Sequence, residues 1–133
     1  MTRTALLALL LAAARANACE PALKGDGVRK AEGKEYVVAW RADPPVLRVS
    51  EFFAVDIAAC SKSRAQVPTH VRVDAVMPEH KHGMNYRPTV TAVGDGRFRA
   101  EGLLLHMPGL WEIKFDLRRA GASEVVSERF SLN

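Results

Sequence analysis

Two short stretches hold the side chains with the most specific chemistry. MPEHKHGM, Met77 to Met84, carries His80, His82 and Met84; LLLHMPG, Leu103 to Gly109, carries His106 and Met107. Thioether sulfur and imidazole nitrogen form a soft to borderline donor set. It suits copper, above all Cu(I) rather than Cu(II), better than magnesium or calcium, which take hard oxygen ligands. Taken singly, each residue has an ordinary explanation, because a histidine at a strand end is usually solvated and a methionine at a buried parity is usually core. Their clustering is what favours a metal. All four histidines lie in this region or just before it, and Met77, Met84 and Met107 flank them. His70 begins its strand at the end away from Met77 and stands apart. Glu79 is a candidate to orient a histidine, or to be a hard ligand if the ion is Cu(II) or zinc. Met77 is a candidate apolar neighbour behind the site, with Leu105 and Trp111.

No enzyme constellation accompanies these residues. The chain has no glycine-rich phosphate loop and no HExxH helix, and with its two cysteines paired it assembles neither a Cys-His nor a Ser-His-Asp arrangement. A hydrolytic zinc could take His80, His82 and His106 and keep an open position, but the adjacent methionines would then be unexplained. Binding rather than catalysis is the expectation.

Short strands must position the donors. YVVAW, Tyr36 to Trp40, is β-branched and aromatic, and Asp43-Pro44-Pro45 ends it. In Phe52 to Cys60, the residues Phe53, Val55, Ile57 and Ala59 share one face at period two. Val71, Val73, Ala75 and Met77 alternate with Arg72 and Asp74 until Pro78. Thr89 to Val93 leads through Gly94-Asp95-Gly96, a hairpin signal, into Arg97 to His106, where the count turns Phe98, Ala100, Leu104 and His106 inward. Trp111, Ile113, Phe115 and Leu117 give the cleanest alternation, and a turn at Gly121 precedes the last strand. About seven strands and no helical periodicity predict an all-β, immunoglobulin-like antiparallel β-sandwich, with a small closed barrel as the alternative. Simple up-down-up order puts the Met77 and His106 ends at one pole. An extended loop would turn His80 and His82 to one side, and Gly83 would let Met84 bend in.

The first residues bound the compartment. Arg3, an apolar run from Ala5 to Ala14 and the small residues Ala16-Asn17-Ala18 have the layout of a secretory signal peptide, too short to span a bilayer. The expected organisation is residues 1–18 signal peptide, 19–33 irregular N-terminal arm and 34–133 β-sandwich domain, with no membrane span in the mature chain. Export makes the protein periplasmic or secreted. A Cys19–Cys60 disulfide is then the simplest fate of the only two thiols, stabilising by roughly 4 kcal/mol in the chain-entropy model. The alternative is a lipoprotein anchored through Cys19, which would leave Cys60 unpaired. The formal charge of +4 falls to about +2 without Arg3 and Arg15, and the basic residues are scattered, so no nucleic-acid partner is expected.

MPEHKHGM, then a GDGRF hairpin, then LLLHMPGLWEIKFDL, resembles the YtkA-like and FixH-like families of exported or membrane-anchored bacterial domains. The similarity runs roughly from Phe52 to Leu117. It implies an immunoglobulin-like sandwich, ligands at His80, His82, Met84, His106 and Met107, a structural aromatic at Trp111, and a role in copper handling or in assembly of copper-containing oxidases; for copper handling the expected partner is a copper donor or acceptor protein. The chain departs from the FixH-like pattern in lacking a full membrane anchor. A periplasmic copper chaperone or buffer is therefore the leading expectation, and an exported structural or protein-interaction module without metal is the other.

Overall fold

A computed structural model describes residues 19–64 and 66–133, so the proposed signal peptide lies outside the described residues. Nine strands form two antiparallel sheets: β1 Arg29–Glu32, β2 Tyr36–Asp43, β3 Phe52–Ser61, β4 His70–Met77, β5 His82–Gly83, β6 Thr89–Gly94, β7 Arg97–Leu104, β8 Gly109–Arg119 and β9 Ala122–Leu132. One sheet has the order β1-β2-β3-β7-β6 and the other β5-β4-β8-β9. The order β2-β3-β7-β6 against β4-β8-β9 is that of a constant-type immunoglobulin sandwich, with β1 and β5 as additional edge strands. No helix among the described residues is long and apolar enough to cross a membrane.

Period-two patterning supplies the core. Phe53, Val55, Ile57 and Ala59 from one sheet meet Val71, Val73, Ala75, Ile113, Phe115 and Leu117 from the other, all buried. Each fully buried aliphatic or aromatic side chain contributes about 1.5–3 kcal/mol relative to exposure. Trp40 packs against Phe115 and Phe130, and its indole N–H donates to Glu128 at 2.7 Å.

Two features differ from the sequence expectation. The N-terminal arm is not wholly irregular, because Arg29–Glu32 adds to β2 as an edge strand. Only Ala31 of that strand is buried in the core; the strand is held by Arg29, whose guanidinium lies 5.1 Å from the Trp40 ring centre and pairs with Glu128 at 2.5 Å. The second difference is the parity of β7. Phe53 pairs with Leu103 but Ala54 with Glu101, so Gly102 is an unpaired bulge residue, with φ of +86° that favours glycine. The bulge shifts the alternation by one. Leu103 and Leu105, rather than Leu104 and His106, follow Phe98 and Ala100 into the core.

Cys19 and Cys60 are disulfide-bonded, with Cα atoms 5.7 Å apart. The bridge ties the N-terminal segment to the end of β3. A lipid thioether on Cys19 would need the same sulfur, so that alternative and this disulfide exclude one another.

A candidate metal centre at one pole of the sandwich

The loops following β2, β4, β5 and β7 gather at one pole, and the histidines meet there. The His80 and His82 ring centres are 5.8 Å apart, and those of His82 and His106 are 5.2 Å apart. Trp111, fully buried, lies beneath the group, its ring centre 6.3 Å from that of His82 and 5.7 Å from that of His106, both in edge-on geometry. His70, at the start of β4, belongs to the other pole, where Thr69 Oγ1 is 3.0 Å from its Nδ1.

Each position follows from local structure. Pro78 ends β4, and the chain turns tightly instead of staying extended. The N–H groups of His80 and Lys81 both donate to the Met77 carbonyl, at 3.1 and 3.0 Å, with Lys81 at φ of +54°. That turn leaves His80 exposed and returns the chain so that His82 pairs with Met77 and Gly83 with Val76. Residues directly opposite in a ladder point to the same face. His82 therefore faces inward beside Met77. The Met84 N–H donates to the Ala75 carbonyl at 3.1 Å, two residues farther along the ladder.

On the other side, Ser50 N–H holds the Leu105 carbonyl at 2.8 Å and the Trp111 indole donates to the Met107 carbonyl at 3.0 Å. These two bonds fix the short β7–β8 connection that carries His106. His106 Nδ1 is shielded from solvent and has no hydrogen-bond partner among the described residues. A buried polar atom left unpaired costs about 1–3 kcal/mol, so such atoms mark sites with a further demand on them.

The remaining candidates fall into two groups. Met77, buried to 1 % exposure, and half-buried Met84 and Met107 pack on the main core. Glu79 is exposed, and no hydrogen bond or ion pair joins it to a histidine. Tyr86 stacks edge-on against Phe52 at 5.0 Å, both largely exposed near this pole. The sequence reading did not single out Gly109. Its φ is +129°, and a Cβ there would stand 2.9 Å from the Met77 methyl, so the start of β8 is shaped around the Met77 side chain.

The spacing can be compared with what coordination requires. An ion about 2 Å from an imidazole nitrogen lies about 3 Å from the ring centre, so two rings sharing it have centres about 5–6 Å apart for bond angles from tetrahedral to linear. Both neighbouring ring pairs fall in that range. The imidazoles form a chain rather than a triangle, and no three His, Cys, Asp or Glu side chains among the described residues close on one point. Each neighbouring pair of rings, and not all three together, therefore has the spacing to share one ion. The chain matches no protein-family model, no curated protein and no solved structure.

Proposed function

We propose that this protein binds one copper ion, as Cu(I), at the histidine pole and acts as a copper chaperone or buffer in the periplasm. The observation that carries the reading is His106 Nδ1, a buried and unpaired nitrogen on a ring 5.2 Å from that of His82. The nitrogen ligands come from a neighbouring pair among His80, His82 and His106, with thioether donors from the methionines around them, Met84 and Met107 among the candidates. The resemblance of the MPEHKHGM and LLLHMPG pair to the YtkA-like and FixH-like families points the same way.

The burial gradient suits exchange. His80 is exposed, His82 and His106 are half-buried, and Trp111 closes the floor. An incoming ion meets His80 first and passes inward as one ligand replaces another, and a donor or acceptor protein reaches the outer ligand directly. Titration with one equivalent of Cu(I) against a competing chelator tests this. Wild type should hold the ion, His82→Ala should lose affinity by about tenfold or more, and His80→Ala should slow transfer to the chelator with a smaller change in affinity. Unchanged affinity in His82→Ala would remove this site. No affinity in wild type would favour the metal-free interaction module, for which the exposed Phe52–Tyr86 pair at the same pole offers a contact surface.

A further inference from the structure

Among the methionines of this pole, Met77 is the one that the ladder sets directly beside His82. We propose that Met77 is itself a copper ligand, its thioether joining His82 and His106 in a site with two nitrogens and one sulfur. This rests on the copper reading above and changes its ligand set.

Register carries the argument. Met77 pairs across the ladder with His82, which places the two side chains on one face with Cβ atoms about 4.5–5.5 Å apart. On its other side, β4 runs against β8 with Val76 opposite Glu112. Continuing one residue brings Met77 opposite Trp111, the ring that contacts both His82 and His106. Met77 is thus flanked on both sides by residues that touch the candidate ligands. Gly109 lies beside the Met77 methyl, which a Cβ built there would approach to 2.9 Å.

Met84 is placed differently. It lines a groove of about 740 Å³ with Val71, Val73, Tyr86, Pro88 and Val90, and no histidine lines that groove. Its hydrogen bond to Ala75 sets it two residues beyond His82 along the ladder, where β8 presents Ile113 rather than Trp111. A buried thioether with two imidazoles is a soft, low-coordinate set that favours Cu(I); Cu(II) prefers tetragonal nitrogen and oxygen ligands. The sulfur of Met77 is therefore the element that selects oxidation state.

The test separates sulfur from packing. Met77→Leu keeps the volume and costs the metal-free fold little. Anaerobic Cu(I) titration against a chelator should show a loss of about tenfold or more in Met77→Leu, and Met84→Leu should stay within a factor of about two of wild type. X-ray absorption at the copper edge should lose its sulfur shell in Met77→Leu and keep it in Met84→Leu. As a second measurement, Met84→Leu/Met107→Leu leaves Met77 the sole methionine of residues 19–133. Grown with selenomethionine and loaded with Cu(I), that variant should show copper–selenium scattering. Wild-type affinity in Met77→Leu, or no selenium neighbour in the double variant, would overturn the proposal while leaving the histidine site intact. Failure of wild type to bind Cu(I) would overturn both readings together.

Discussion

Replacing His106 by leucine should stabilise the metal-free protein and weaken the copper-loaded one. The imidazole Nδ1 is buried without a partner, at a cost of about 1–3 kcal/mol that leucine does not incur. Against this stands the edge-on contact with Trp111 at 5.7 Å, the kind of aromatic contact worth about 0.5–1.5 kcal/mol. The balance favours leucine by about 1 kcal/mol, or about 4 °C in melting temperature for a domain of this size. Copper reverses the order. With free Cu(I) a hundredfold above the dissociation constant, wild type gains about 2.7 kcal/mol by mass action, and a variant missing a ligand gains less. Anaerobic thermal unfolding of both proteins, with and without buffered Cu(I), reads all four values. A leucine variant that melts below wild type without metal would show that the nitrogen is satisfied in solution. An order that copper does not change would remove His106 from the ligands.

Two further perturbations probe the frame around the site. Gly109→Ala forces an L-residue to φ of +129° and sets a Cβ against the Met77 methyl. The backbone strain costs about 1–3 kcal/mol and dominates, because the end of a flexible side chain gives way cheaply; a drop of about 8 °C in melting temperature is expected, and a loss under about 0.5 kcal/mol would mean that the turn relaxes. At the other pole, Glu35 accepts hydrogen bonds from the Ser61 and Ser63 hydroxyls, which hold its carboxyl below the usual carboxylate range. A folded-state value below the unfolded one means stability that is present above the unfolded pKa and lost as pH falls through the folded one. Wild type should therefore exceed Glu35→Gln in urea midpoint at neutral pH, and the gap should narrow as pH falls through and below the usual glutamate range; a gap that does not change with falling pH would contradict the assignment.

The sandwich was legible wherever burial is one-sided and the strand regular. Phe53 to Ala59 and Trp111 to Leu117 alternate in sequence as they do in space, because one face of each meets the opposite sheet. The alternation failed at Gly102, where a bulge inserts a residue opposite Phe53 and Ala54. An isolated glycine in a strand pattern hints at such a bulge, but its effect on parity depends on the partner strand. β1 was illegible for a related reason. Its composition has little strand propensity, and what fixes it is Arg29 against Trp40 and Glu128, contacts between distant parts of the chain.

The kinds of side chain that gather at this pole could be read from sequence; their positions could not, because they depend on register. Here the two-residue strand β5 decides the matter. The loop from Pro78 to Pro88 is long enough for many conformations, and an extended one would have set His80 and His82 side by side. The tight turn closed on the Met77 carbonyl instead returns His82 to pair with Met77 itself. His82 is then held in a ladder pair facing inward, and of the two histidines only His80 is left on the turn. One short pairing thus divides the two histidines into one held in a ladder and one exposed on the turn, and under the proposed copper reading these become the inner and the outer ligand.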